Sequence, residues 1–287
     1  MSSSPAPSLS TGIADRVLAT LVALAAALGV AFVIAPRILA ASGPGDTFGD
    51  ESDLREAFRT AFVEYWRSGE SGFSPSLQRI VDYWFRYHAA KAVIAAVLLI
   101  VLVALNVLLW KAFLKASGLG VGMRFGLASA GILATTFALL SLMTAMANIQ
   151  GAVAPFASLL PMLTGGANDG ELADTLDQVE HRLADSPSAG GRTPPALDVM
   201  ITDFSRYHVA MAVVAAMVAI VLVVVSVVFW KGFADTVKSD RRTRCVLASF
   251  GVLSALLSLI AIAVVVANTT NAADPAPGLS ALFDGGW

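Results

Sequence analysis

The sequence predicts an all-α integral membrane protein with five transmembrane helices. Of its 287 residues, 56% are hydrophobic and only 14% are charged, and the mean hydropathy is +0.73. Soluble globular domains carry about a quarter charged residues. Five apolar runs are each close to the roughly 20 residues that cross a hydrocarbon core of about 30 Å. Because the bilayer core holds no water, the backbone of each run must satisfy its own hydrogen bonds, which favours helices.

A block of sequence recurs after 120 residues and predicts a tandem internal duplication. The residues that the two copies share at the ends of their apolar runs are Arg86, Tyr87, His88, Trp110 and Lys111 in the first, and Arg206, Tyr207, His208, Trp230 and Lys231 in the second. We expect a disordered tail plus the first transmembrane helix over 1–45, repeat one over 46–160 and repeat two over 166–282. Each repeat would contribute outer helices and two transmembrane helices.

The five spans are predicted at residues 17–35, 89–110, 125–149, 209–230 and 245–268. Residues 1–13, rich in Ser and Pro, are typical of a disordered tail. The first span is also compatible with a cleavable signal peptide, but its apolar run exceeds the roughly 7 to 15 residues of a signal-peptide core. We therefore expect a retained helix.

The charges of the connecting segments predict the orientation. The short loops 111–124 and 231–244 carry three basic residues against no acid and five against two, whereas segments 41–87 and 149–207 carry five basic against eight acidic and three against eight. By the positive-inside rule the short loops face the cytoplasm, with the amino terminus inside and the carboxyl terminus outside. Abundant alanine and an excess of arginine over lysine favour a bacterial plasma membrane.

Each long outer segment predicts an amphipathic helix followed by a second helix. In the first segment a capping box of Asp53 and Glu56 precedes the amphipathic helix. The apolar stripes are Leu54, Phe58, Ala61, Phe62, Tyr65 and Trp66 in one segment and Leu172, Leu176, Val179 and Leu183 in the other. The second helices, with N-cap and first-turn residues Ser74–Pro75 and Thr193–Pro194, should run unbroken into the spans.

His88 and His208 enter helices of the same direction at the same predicted depth. They are weak candidates for a metal or haem ligand pair, or for a pH-sensitive pair. No third ligand recurs beside them. We therefore favour a structural role at a half-wet boundary and expect neither a cofactor nor a metal site.

The other recurring residues at the span ends are typical interfacial anchors, a role we assign to Arg86, Tyr87, Trp110, Lys111, Arg206, Tyr207, Trp230 and Lys231. Small residues recur on the third and fifth spans as Gly131, Ala134 and Ala138, and as Gly251, Ser254 and Ser258. Such ridges allow close helix packing. We expect packing within the chain, with a homo-oligomer as the alternative.

The spans contain no Asp or Glu, and their polar residues are mild, chiefly Asn106, Ser226, Thr135 and Thr136. This composition disfavours ion-coupled transporters. No catalytic motif is present, the single Cys245 excludes an intramolecular disulfide, and a net charge of −2 does not indicate a nucleic-acid partner.

The leading hypothesis is a non-enzymatic scaffold or accessory subunit that binds a partner protein on the outer face of the membrane. Phe58, Phe62, Tyr65 and Trp66, if exposed, would suit such contact because aromatic residues are enriched at interfaces. One alternative is a transporter or channel component with a polar path between the repeats. A weaker alternative is a membrane haem or redox protein using His88 and His208.

Overall fold

The computed structural model describes residues 9–41, 48–118, 120–164, 170–185 and 193–284, and these are helical almost throughout, with no strand among them. The helices are α1 (Leu9–Ala40), α2 (Glu51–Ser68), α3 (Pro75–Lys115), α4 (Val121–Val153), α5 (Pro155–Leu159), α6 (Pro161–Thr164), α7 (Glu171–Asp185), α8 (Pro195–Asp235), α9 (Arg241–Ala273) and α10 (Pro275–Phe283). Within the described residues, five of them, α1, α3, α4, α8 and α9, are long and apolar enough to cross a membrane.

The two longest helices extend well beyond a bilayer. Both α3 and α8 contain 41 residues, and at 1.5 Å per residue each is about 60 Å long, roughly twice the hydrocarbon thickness. The prediction that they run unbroken from the outer segments into the spans is therefore confirmed. The helix bounds follow the offset of 120 seen in the sequence, since α8 and α9 begin 120 residues after α3 and α4 and have the same lengths.

The first helix is longer than its predicted span. It continues through Pro36 to Ala40, although proline removes one backbone hydrogen bond from the helix. It begins at Leu9, so residues 9–13 of the predicted tail are helical, while residues 1–8 lie outside the described residues.

The chain divides into two compact units. The first contains the described residues of Met1–Pro36 together with Lys91–Ala145, and the second contains those of Arg37–Ala90 and Met146–Trp287. In the first unit, Leu102 and Leu105 of α3 are buried with Ala134 and Ala138 of α4, and partly buried residues of α1 lie against this cluster. The prediction that the small residues of the third span pack within the chain is confirmed.

In the second unit α8 and α9 form an antiparallel pair. Gly251, Ser254 and Ser258 of α9 are buried. The hydroxyl of Ser226 on α8 donates to the carbonyl oxygen of Gly251 at 3.0 Å. The small residues of the fifth span therefore also pack within the chain.

The second unit also contains an apolar core outside the long apolar runs. We call the helices that build it the head: α2, α5, α6, α7, α10 and the turns of α3 and α8 that precede His88 and His208. Its fully buried large side chains are Phe58, Phe62, Tyr65, Leu77, Phe156, Leu159, Leu160, Leu163, Leu197, Met200, Leu279 and Leu282. Because burying one such side chain contributes about 1.5–3 kcal/mol, this core stabilises the head without help from lipid.

The position of the α2 aromatic residues corrects one prediction. Phe58, Phe62 and Tyr65 are 0% exposed, so the expectation that they form an exposed partner-binding surface is wrong. The ring of Phe156 on α5 lies edge-on to Phe58 and Tyr65, at centroid distances of 6.4 and 6.0 Å. Only Trp66 lies at the edge of the core, where its indole nitrogen donates to Gln178 of α7 at 3.2 Å.

Two helix starts also differ from the predictions. Helix α2 is capped by Asp50, which accepts from the backbone N–H groups of Ser52 and Asp53, so the predicted capping box of Asp53 and Glu56 lies three residues too late. Several acids in succession make this position ambiguous in sequence. At α8, Pro194 occupies the N-cap position and Thr193 precedes it. Ser74 caps α3 as predicted, accepting from Leu77 N–H at 3.3 Å.

We predict that two substitutions in the α2 core change the stability of the head to very different extents. Phe62→Ala should lower the free energy of unfolding of the head by about 3–5 kcal/mol because it leaves a cavity. Tyr65→Phe should be neutral or slightly stabilising, because the Tyr65 hydroxyl is buried with no hydrogen-bond partner among the described residues. Thermal unfolding of both variants in one detergent checks this, and a Tyr65→Phe loss as large as that of Phe62→Ala would contradict it.

The same tyrosine predicts alkaline sensitivity. Burial raises the pKa of Tyr65 from about 10 to about 12. Since the folded state favours the neutral phenol, its stabilisation is complete below pH 10 and is lost as the pH rises from about 10 to about 12. This loss is on the order of 2 kcal/mol. Unfolding measured at pH 9, 10.5 and 12 should show this decline in the wild type and a smaller one in Tyr65→Phe.

Candidate functional site

Two histidine–asparagine pairs lie within the second unit, each between two long helices. His88 Nδ1 of α3 lies 2.9 Å from Asn148 Oδ1 of α4, and His208 Nδ1 of α8 lies 2.8 Å from Asn268 Oδ1 of α9. In both pairs the partners are 60 residues apart. The two histidines, 120 residues apart, thus form the same contact between the helices of each pair.

The asparagine determines which ring nitrogen of His208 carries the proton. The amide nitrogen of Asn268 donates to the carbonyl oxygen of Val264 at 2.9 Å, so its Oδ1 atom accepts from the histidine. His208 Nδ1 is therefore the donor in this bond. The side chain is only 5% exposed, and Nε2 has no hydrogen-bond partner among the described residues.

Aromatic rings surround both histidines. The ring of His88 lies edge-on to Trp84 with centroids 4.7 Å apart, and the ring of His208 lies edge-on to Phe204 at 4.6 Å. Gly151 of α4 makes room for the first ring, because a Cβ atom at this position would lie 2.8 Å from His88 Nδ1. Close helix packing thus depends on glycine at this position in the first copy.

This geometry favours a structural role for the pair. Among the residues that the structure describes, no group of three or more His, Cys, Asp or Glu side chains is placed to hold a metal ion. A haem ligand would need Nε2 open to the iron. His208 Nε2 instead lies inside a packed site beside Phe204. The bond to asparagine gives each histidine a contact between two neighbouring helices.

The predicted arginine anchors contact the protein itself. Arg86 Nε donates to the carbonyl oxygen of Ala40 at 3.0 Å, at the carboxyl end of α1, where a positive charge is favourable. Arg206 lies 3.3 Å from the carboxylate of Asp203. Arg86 therefore joins α3 to the carboxyl end of α1, whereas the ion pair of Arg206 lies within α8.

Asp203 is a buried carboxylate that the sequence analysis did not identify. It is 8% exposed, and its Oδ2 atom accepts from the backbone N–H of Ala157 at 2.8 Å, near the start of α5. A signal was present, because an acid stands within the apolar stripe of Leu197, Met200 and Phe204. Asn148 and Asn268 also recur 120 residues apart in the sequence. The sequence interpretation did not predict that they bond to the two histidines.

The tryptophans at the other end of the long helices pack on glycine. Cβ atoms added to Gly131 and Gly251 would lie 2.9 and 3.1 Å from ring atoms of Trp110 and Trp230. These glycines therefore allow each indole to lie against the neighbouring helix. Lys111 and Lys231 beside them are exposed.

The polar residues within the long helices are bonded locally. Thr135 Oγ1 donates to Asn106 Oδ1 at 3.0 Å, and Thr136 Oγ1 donates to the carbonyl oxygen of Ile132. Ser226 donates to the Gly251 carbonyl oxygen. Each bond lies within one helix or one helix pair, so these residues give no support to a continuous polar path.

No family model matches the chain, and no curated protein or solved structure shows a significant match to it. The class of protein therefore rests on the fold: an all-helical chain with five helices long and apolar enough to cross a membrane.

We predict that the hydrogen bond between His208 and Asn268 contributes a coupling free energy to the stability of the folded chain. Asn268→Ala should lower the free energy of unfolding by about 1–3 kcal/mol because it leaves the buried Nδ1 donor of His208 without an acceptor. His208→Phe combined with Asn268→Ala should cost less than His208→Phe and Asn268→Ala measured separately and added together. A double-mutant cycle on thermal unfolding measures this coupling. Additive losses would contradict the bond.

Proposed function

We propose that the chain is a non-enzymatic scaffold or accessory subunit of the bacterial plasma membrane whose head binds a partner protein on the outer face. The observation that carries this proposal is the apolar core of the head, which is built from both copies and is independent of the long apolar runs. A connection between spans needs no such core. A folded head that presents polar helix faces is what a docking platform requires.

The contact surface differs from the one expected at first, because the α2 aromatic residues are buried. We assign it to the polar face of α7. Asp174, Asp177, His181 and Asp185 are exposed there, on the side away from the buried residues Leu176, Val179 and Leu183. Burial and the neighbouring carboxylates of Asp284 and Asp177 raise the pKa of Glu180, which shows how closely acids are grouped here.

The position of α7 is fixed by contacts with α2. Arg67 and Glu171 form an ion pair at 3.1 Å, and Trp66 donates to Gln178. Because the helix is held in place, its acidic face is preorganised for binding. A partner with a basic surface fits this face, since complementary charge determines specificity and association rate.

Charge reversal on α7 tests the proposal. Asp174→Lys with Asp177→Lys should reduce recovery of the partner from native membranes by about tenfold, because two attractive charges become repulsive. Glu56→Lys with Glu70→Lys is the matched control, since it changes the net charge equally at exposed acids elsewhere in the head. Recovery is measured by cross-linking in intact cells followed by quantitative mass spectrometry.

The control pair should recover the same partner as the wild type. If the α7 variant and the control recover it equally, the acidic face is not the contact surface. If no protein is cross-linked to the wild-type head, the scaffold proposal itself is wrong.

A further inference from the structure

We propose that a groove between α1 and the α3–α4 pair binds one acyl chain of an anionic glycerophospholipid, with the lipid phosphate at Lys91. The groove lies within the first unit and has a volume of about 360 Å³. This volume is within the range of about 300 to 1,000 Å³ typical of small-molecule sites. The site is separate from the acidic face of α7 and does not depend on a protein partner.

The wall of the groove suits an aliphatic chain. It is formed by α1 residues around Gly29 and Phe32, by Ala95 and Leu98 of α3, and by residues of α4. The two hydroxyls in the wall donate to backbone carbonyl oxygens, Ser141 to Ala95 and Thr144 to Leu140, each at 2.8 Å. Since these hydroxyls already have acceptors and the hydrocarbon region holds no water, the occupant must be apolar.

A positive charge lies at one end of the groove. Lys91 is one helical turn before Ala95 on α3, and its Nζ atom lies 5.0 Å from the centroid of the Phe32 ring. Lys91 is the only charged residue inside the predicted spans. It stands three residues after His88, close to the boundary where lipid phosphates lie, and an ammonium at this depth attracts an anion.

The chemistry of the groove is specific to the first copy. The positions 120 residues after Lys91, Ser141 and Thr144 hold Met211, Ala261 and Val264. The shared framework therefore does not require a lysine or these hydroxyls. The charge occurs only in the copy that packs against α1.

Helix α1 leaves space for such an occupant. A Cβ atom added to Gly29 would meet nothing within 4 Å, although this glycine lines the groove. Val30 and Val33 of the same helix are 60% and 73% exposed. A lipid chain in the groove would add contacts to a helix that makes few of its own.

The charge favours a lipid over a second copy of the chain. Another copy would present one of its own spans to the groove, and no span contains an Asp or Glu that could pair with Lys91. An anionic phospholipid supplies both an apolar chain for the groove and an anionic headgroup that complements the positive charge of Lys91. We therefore commit to the lipid as the occupant.

Native mass spectrometry of the purified full-length protein tests this site. The probes are phosphatidylglycerol and phosphatidylcholine with identical 16:0/18:1 chains. The wild type should retain one phosphatidylglycerol with about fivefold preference over phosphatidylcholine, the effect expected of one basic side chain near an anionic headgroup. Lys91→Met should abolish this preference, and Lys91→Arg should keep it.

A second pair of variants tests the apolar part. Gly29→Leu places a side chain in the groove and should reduce retention of both lipids about fivefold or more. Gly126→Leu is the matched control, since a Cβ atom there also meets nothing within 4 Å and this residue does not line the groove. It should bind lipid as the wild type does.

Circular dichroism and thermal unfolding confirm that each variant is folded. Equal binding of the two lipids to the wild type, or unchanged binding in both Lys91→Met and Gly29→Leu, would show only non-specific surface lipid and overturn the proposal. A wild-type dimer that Gly29→Leu dissociates would identify a second copy as the occupant and overturn it as well. If Gly29→Leu fails to fold, the comparison of Lys91→Met with Lys91→Arg still decides the outcome.

Discussion

The mutual burial of two amphipathic segments is the constraint on which the head depends. Neither α2 nor α7 can cover its own apolar stripe, and the stability of such helices comes mostly from packing of that stripe. They cover one another with the help of α5, α6 and α10, and Phe156 contacts the aromatic rings of α2 at the centre of this core. The long helices α3 and α8 contribute their first turns to the same core, so the head also determines how these two helices leave it.

The long apolar runs and the continuity of α3 and α8 could be predicted from sequence because hydropathy and length determine them locally. The exposure of Phe58, Phe62 and Tyr65 could not be predicted. A helical stripe shows that one face of α2 avoids water, but it does not identify whether this chain or another protein covers that face. The covering residue Phe156 lies almost 100 positions later in the sequence, and no periodicity connects the two.

The sequence holds enough information to predict the two histidine–asparagine pairs. His88 and Asn148 are equally distant from Gly118, in the turn that joins α3 to α4, and His208 and Asn268 are equally distant from Lys238 in the second turn. Folding each helix pair at its turn places these residues opposite one another. Asp203 is a different case, because its acceptor role depends on the start of the short helix α5, which carries no recognisable sequence signal beyond Pro155.

Some contacts recur at positions 120 residues apart, and other features of the chain occur only once. The histidine–asparagine bonds and the tryptophan–glycine contacts occur in both helix pairs, α3–α4 and α8–α9, with nearly equal geometry, as expected of contacts that hold a helix pair together. A ligand-binding role for them would have to operate twice within one chain. The lysine beside the groove occurs once, because the position 120 residues after Lys91 holds Met211. Since the recurring framework does not require a lysine at this position, the residue supports the proposed lipid site.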